Sequence, residues 1–206
     1  LIADDHPVFR RGLKQIIAET TDMVVAGEAT NGWEVLSKVS TGDYDLVLLD
    51  ISMPGKDGMD VLTQLKKERP ALLVLMVSMH PEEQYAVRAL KAGASGYLTK
   101  ESAPDELIVA IRKVSTGRKY VSSALAERLA ALLQEDAEVL PHEVLSSREY
   151  QVMCMIASGK TLKEIAEELS LSIKTISTYR SRILEKMKMR NNAELIHYAV
   201  KNRLVH

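Results

Sequence analysis

Two rhythms of apolar residues alternate over the first 116 positions of the chain. Short runs rich in Val and Leu, namely LIA at 1–3, MVVAGE at 23–28, LVLLD at 46–50, LLVLMV at 72–77 and GYL at 96–98, end in charges or turn residues. Runs of that kind read as strands buried on both faces of a parallel sheet. Between them, apolar residues recur at helical spacing: Val8, Leu13, Ile16 and Ile17; Val35, Leu36 and Val39; Val61, Leu62 and Leu65; Val87 and Leu90; Leu107, Ile108, Ile111 and Val114. Five strands alternating with five helices predict an α/β domain over 1–116, a doubly wound five-stranded parallel sheet with helices on both faces. Such sheets hold ligands outside the carboxyl ends of their strands.

The alternation stops at 117–141. Ser122 is placed to cap a short helix reaching about Gln134. The acidic stretch QEDAEVLPHE then reads as a linker, and Pro141 disfavours helix at Leu140. From 142 to 206 the pattern is helical throughout, which predicts a small all-α domain. Ser146 with Glu149, and Thr161 with Glu164, are capping boxes that open two helices, and Gly159 ends the first of them. A third helix starts near Ser172 and Thr175, and a last one follows Asn192. The helices at 161–169 and 173–187 are joined only by the turn LSLSI. A short turn before a basic second helix is the helix-turn-helix pattern.

Charge sharpens this division. The chain has a formal net charge of -1, yet residues 142–206 carry eleven Lys/Arg against seven Asp/Glu, while 1–141 are net acidic. A basic half after an acidic half points the second domain toward a polyanion. The single cysteine, Cys154, cannot form an internal disulfide, which fits a reducing cytoplasm. No apolar run approaches the roughly 20 residues needed to span a bilayer, so no membrane association is expected.

Three carboxylates end predicted strands. Asp4 and Asp5 close the first and Asp50 closes the third, so a parallel sheet brings them together. Grouped carboxylates repel one another, and a divalent cation is the simplest partner. Mg²⁺ fits, because it takes oxygen ligands and bridges carboxylates to phosphate. Asp5 is the expected direct ligand, with Asp4 acting directly or through water, Asp50 beside them, and the backbone carbonyl of Ser52 as a third ligand. Ser78 ends the fourth strand and Lys100 follows the fifth. A hydroxyl and an ammonium facing such a cluster make sense if Asp50 is a nucleophile that becomes an acyl phosphate. In the second domain, the third helix leaves Lys174, Thr175, Ser177, Thr178, Ser181 and Arg182 open to solvent, with Arg180 and Lys186 beside them. Short hydroxyls allow close approach to a groove floor, and the flanking cations suit phosphates.

The strings IADDHP, LVLLDISMPGKDGMDVL, LMVS and GASGYLTK resemble, in order, the flavodoxin-like receiver domain of two-component response regulators. The string LSSREYQVMCMIASGKTLKEIAEELSLSIKTISTYRSRILEKM resembles the helix-turn-helix domain of the NarL/LuxR (FixJ) family. Carried over by position, the resemblance makes Asp50 the phosphoacceptor, Asp4 and Asp5 the acidic pair, Ser78 and Tyr97 the switch hydroxyl and aromatic, and Lys100 the active-site lysine. It implies a DNA-binding transcriptional regulator that is not an enzyme. A sensor histidine kinase would phosphorylate it, and it would bind double-stranded promoter DNA as a homodimer formed on phosphorylation, with RNA polymerase a further partner. The fourth helix, Ala193–Lys201, is where the family makes a dimer contact. One departure is that Glu101 follows the lysine where many relatives carry proline.

Two other readings fit less well. A Mg²⁺-dependent aspartyl phosphatase usually carries a second acid two residues after its nucleophile, and that position here is Ser52. A pure protein-interaction adaptor leaves the basic third helix without a purpose. His80, His142 and His197 are scattered along the chain and read as surface or core residues rather than metal ligands.

Overall fold

The computed structural model describes residues 1–206 except 103, 135–139, 203 and 206, and, within helices, also excepts the side chains of 83, 84, 128 and 131–134. The chain divides into two compact units, Leu1–Leu129 and Ala130–His206. The acidic linker stretch expected at 135–139 lies outside the described residues.

The first unit contains β1 (Ile2–Ala3), α1 (Pro7–Ala18), β2 (Glu28–Ala29), α2 (Gly32–Thr41), β3 (Leu46–Leu49), α3 (Gly58–Glu68), β4 (Leu73–Ser78), α4 (Glu82–Lys91), β5 (Gly96–Thr99), α5 (Pro104–Ser115) and the start of α6 (Ser123–Gln134). The sheet order is β2-β1-β3-β4-β5 and every pairing is parallel. The order reverses between β1 and β3, so the crevice at their carboxyl ends is the topological switch point. Asp4 follows β1 and Asp50 follows β3, which sets both carboxylates at that crevice.

Alternation along the buried strands serves two cores. Ile2, Leu48, Leu75, Val77 and Leu98 pack with Leu13 and Ile17 of α1 and with Leu107, Ala110, Ile111 and Val114 of α5. Val47, Leu49, Val74 and Met76 alternate with these strand residues and are also buried. Each fully buried aliphatic side chain of this size contributes about 1.5–3 kcal/mol, so this sheet holds the crevice rigidly.

The run expected as a strand over 23–28 pairs only at Glu28–Ala29. The Gly27 carbonyl still accepts from the Ile2 N–H at 3.0 Å, and the strand itself is confined to Glu28–Ala29, where the register sets Ile2 opposite Glu28. Met23 and Val25 pack on the core from outside that strand. Apolar character marked burial there, and burial does not require a ladder.

Two glycines fix the architecture near the crevice. A Cβ on Gly58 would stand 2.0 Å from the Asp50 carbonyl oxygen, so α3 can begin against Asp50 only with glycine there. A Cβ on Gly96 would meet Tyr120 backbone at 2.7 Å. Gly96 bridges Tyr120 in parallel, and the Tyr120 N–H donates to the Ser95 carbonyl at 2.9 Å. The Tyr120 hydroxyl donates to Glu106 of α5 at 2.7 Å, and the Ser122 hydroxyl bonds Glu82 of α4.

The second unit contains a 3-10 turn (Pro141–Val144), α7 (Ser147–Ala157), α8 (Leu162–Glu168), α9 (Ile173–Lys186) and α10 (Asn192–Lys201). Both capping boxes form as expected, on Ser146 with Glu149 and on Thr161 with Glu164. Gly159, at φ +86, follows the end of α7. The turn between α8 and α9 is made at Ser170, at φ +53. Nearly all of α7 is buried beneath α8, α9 and α10. The 3-10 turn was not foreseen; it docks through His142, whose Nδ1 lies 2.8 Å from the Tyr198 hydroxyl.

Candidate functional site

The crevice gathers most of the residues expected there. Asp50 is 2% exposed and Asp4 is equally enclosed. The Lys100 ammonium stands between them, 2.6 Å from Asp4 Oδ2 and 2.7 Å from Asp50 Oδ2, with only 4% of its side chain exposed. The Phe9 ring lies 4.8 Å from that ammonium and closes the pocket over it. Asp50 Oδ1 accepts from the Ser52 N–H at 3.3 Å. Burial pushes the Asp50 carboxyl up to about 6; Lys100 opposes the shift, and the Asp4 charge adds to it. Asp4 Oδ1 accepts from the His6 N–H at 2.8 Å, and Arg10 donates to the Asp4 carbonyl at 2.7 Å while its Nε holds Glu28 at 3.0 Å.

The donor set suits a hard divalent cation. Asp4, Asp5, His6 and Asp50 each bring one ligand atom, and those atoms lie within 4.8 Å of one another. Asp5 Oδ1 is shielded from solvent and makes no hydrogen bond, its one polar neighbour being His6 Nδ1 at 2.8 Å. A buried carboxylate oxygen without a donor is costly unless something positive meets it.

Ser78 and Tyr97 are both buried, and both meet at one residue that the sequence reading set aside. The Ser78 hydroxyl oxygen accepts from the His80 N–H at 3.2 Å, and the Tyr97 hydroxyl donates to the His80 carbonyl at 2.7 Å. The imidazole of His80 reaches Ser52 Oγ at 2.9 Å and packs on the Tyr85 ring at 4.6 Å. His80 therefore ties the loop after β3 to the hydroxyl–aromatic pair. No periodic or motif signal marks such a residue, because its partners come from elsewhere in the fold. Phe9 and Arg10 were missed for the same reason.

On α9, the residues expected to face DNA separate into two sets. Lys174, Ser177, Thr178, Ser181 and Arg182 are exposed, and Thr175 is half-buried. Thr178 and Ser181 donate to the carbonyls of Lys174 and Ser177, so their outward oxygens remain as acceptors. Ser172 caps the helix by accepting from the Thr175 N–H at 3.0 Å. Arg180 and Lys186 are held by the fold instead. Arg180 Nε donates to Asn192 Oδ1 at 2.7 Å, and Lys186 Nζ donates to the buried Glu149 at 2.6 Å.

Comparison with known proteins identifies both domains. Residues 1–112 match the response regulator receiver domain, and residues 143–199 match the bacterial regulatory proteins of the luxR family. The chain is 35% identical to the response regulator UvrY of Escherichia coli K12 over 205 residues, covering 99% of this chain and 94% of UvrY. It is equally 35% identical to the response regulator GacA of Pseudomonas aeruginosa over 206 residues, covering 100% of this chain and 96% of GacA. Among solved structures, RcsB from Salmonella enterica serovar Typhimurium, bound to the rprA promoter in the presence of the phosphomimetic BeF3−, aligns with a TM-score of 0.65 at 27% identity over 96% of this chain and 95% of that one. Among the described residues, no helix is long and apolar enough to cross a membrane. An acidic crevice at a topological switch point, joined in one chain to a capped basic helix-turn-helix, thus makes this protein a response regulator of the LuxR-type DNA-binding family.

Proposed function

We propose that Asp50 accepts a phosphoryl group from a sensor histidine kinase, and that the acyl phosphate controls binding of α9 to promoter DNA. The observation that carries this reading is the Lys100 ammonium set between Asp4 and Asp50 in a nearly water-free pocket. An oxygen of Asp50 attacks the phosphorus of a phosphohistidine, the P–N bond breaks, and its electron pair leaves with the imidazole, which takes a proton from solvent. When bound, Mg²⁺ supplies positive charge to the phosphoryl oxygens. Asp5, Asp4, Asp50 and the Ser52 carbonyl would hold it. Lys100 moves its ammonium from the carboxylates to a phosphoryl oxygen, and the Ser78 hydroxyl donates to another. Ser78 and Tyr97 share His80, so drawing Ser78 inward shifts the His80 backbone and the Tyr97 hydroxyl together.

The output is a dimer that reads two half-sites, which gives one small module the avidity it lacks alone. Ala193, Ile196 and Val200 leave an exposed apolar stripe on α10 that supports such pairing. The protein then acts in the cytoplasm, with RNA polymerase as a further partner. The test is intact-mass spectrometry, sedimentation and affinity for a duplex enriched from a random pool, each with Mg²⁺ before and after acetyl phosphate. The reading expects one added phosphoryl group, a larger species and tighter DNA binding, all lost in Asp50→Ala. A wild type and an Asp50→Ala variant that respond alike would overturn it.

A further inference from the structure

The fold holds two cations of α9, and it holds them differently. Lys186 Nζ donates at 2.6 Å to Glu149, a buried carboxylate, so that pair is neutral within the domain. Arg180 Nε donates at 2.7 Å to Oδ1 of Asn192, the first residue of α10. An amide oxygen accepts such a bond but carries no charge. Among the described residues the ion pairs of this unit are Lys160 with Glu168, Lys163 with Glu167 and Lys186 with Glu149, and none includes Arg180. The Arg180 guanidinium is thus oriented without being neutralised. A bond to an amide fixes its direction and leaves its attraction for an outside anion intact.

The position suits a phosphate. Ser177, one helical turn before Arg180, is exposed on the outer face of α9, whereas Ile176 and Leu184, four residues to either side, are buried. Arg180, half-buried, therefore stands at the edge of the outer face rather than at its centre. The edge of a helix lying in a groove is where the DNA backbone passes, and contacts there fix position rather than sequence. A guanidinium offers N–H donors in a planar fork that matches phosphate oxygens. With Nε taken by Asn192, both Nη groups remain for that contact. The side chain held this way has already lost the rotamer freedom that a free arginine gives up on binding.

We infer that Asn192 is a positioning residue for DNA binding: from α10, outside the recognition helix, it aims Arg180 at a backbone phosphate. This deepens, and rests on, the reading of α9 as the DNA-facing helix. Because a phosphate contact carries no base information, Asn192 acts alike on every duplex sequence.

The experiment uses the full chain, treated with Mg²⁺ and acetyl phosphate, as wild type, Asn192→Ala, Arg180→Ala and the double variant. Affinity is measured by fluorescence anisotropy over a range of salt, for a duplex that wild type enriches from a random pool and for a scrambled duplex. Arg180→Ala is expected to weaken both duplexes and to lower the slope of log affinity against log salt by about one. Asn192→Ala is expected to weaken both about three- to tenfold at the wild-type slope, because the charge stays and only its aim is lost. Added to Arg180→Ala, Asn192→Ala is expected to have no further effect. Denaturation midpoints accompany each variant, and that of Asn192→Ala should stay near wild type, since Asn191 rather than Asn192 caps α10. Losses that add in the double variant overturn the inference. So does an Asn192→Ala variant that binds as wild type does, whatever its midpoint. An Arg180→Ala variant that binds normally while Arg182→Ala weakens binding sinks this inference alone. A wild type that binds neither duplex sinks the DNA-binding reading with it.

Discussion

At Asp50 the charged groups are almost shut off from solvent and answered inside the pocket: Lys100 by two carboxylates, and the Asp4 carboxylate by Lys100 and the His6 N–H. On the outer face of α9 the functional groups are exposed, and the hydroxyls of Thr178 and Ser181 are satisfied by the helix itself. The difference fits the chemistry proposed for each surface. A phosphoryl group is stabilised by a cation most strongly where water is excluded. A DNA backbone is met by cations that stay hydrated until they release its counterions. Burial is therefore the useful criterion for separating working charges from structural ones, and it acts in opposite directions in the two units.

The largest effect that would break the comparison is expected in the pocket. Lys100→Met leaves Asp4 and Asp50 buried without their cation, and the chain should lose on the order of 3 kcal/mol of stability in chelator. Mg²⁺ should restore part of that loss in denaturant titrations, whereas wild type should gain less from the metal. If Lys100→Met melts like wild type in chelator, the pocket is wetter than its burial implies. Next in size is Gly58→Ala, whose new methyl must displace α3 from the Asp50 carbonyl. Overpacking of this kind costs about 1–3 kcal/mol, and the measured denaturation midpoint should fall accordingly.

The basic surface can be tested by setting two of its cations against each other. Lys186→Ala removes the partner of a buried carboxylate and should cost about 1–2 kcal/mol of stability, a value reduced by the half-exposure of the lysine. Arg182→Ala should leave stability unchanged, weaken binding across DNA sequences and lower the slope of log affinity against log salt by about one. A reversal of these outcomes would mean that burial does not sort the cations of α9.

The smallest effect concerns pH. Burial pushes the Glu149 carboxyl up, but Lys186 and the Ser146 donors outweigh it and hold the group below its ordinary value. A carboxyl depressed in this way contributes stability that is complete above its unfolded value and is lost as pH falls through the folded one. Amide exchange in α7 and α9 of the full chain should therefore accelerate as the pH drops below the ordinary carboxylate range. Glu149→Gln should flatten that response.

Much of the architecture could be read from the chain because buried parallel strands and capped amphipathic helices are local patterns. Strands at 46–49 and 73–78, and the boxes on Ser146 and Thr161, needed no tertiary information. The strand expected over 23–28 was drawn too long, because an apolar run records burial and does not mark where a strand starts. Asp4, Asp5, Asp50, Ser78 and Lys100 were legible because strand ends converge by topology, and Tyr97 only through the family resemblance. His80 and Phe9 were not, since each acquires its partners by packing across sequence distances that no periodicity spans. Lys186 and Arg180 showed the converse limit: charge and helical phase alone do not distinguish a free cation from one answered by Glu149 or Asn192.

The backbone bridge between Gly96 and Tyr120 has an effect beyond anchoring the chain. β5 is the last strand in the sheet order, and its outer side would present unpaired amide and carbonyl groups. Such a border is a template for pairing with another molecule, and stable proteins cover it. The segment around Tyr120 lies along that border and takes up the Ser95 carbonyl. The same few residues that carry the chain out of the receiver thus also guard it against aggregation, and fragments cut before them should be less soluble than fragments that keep them.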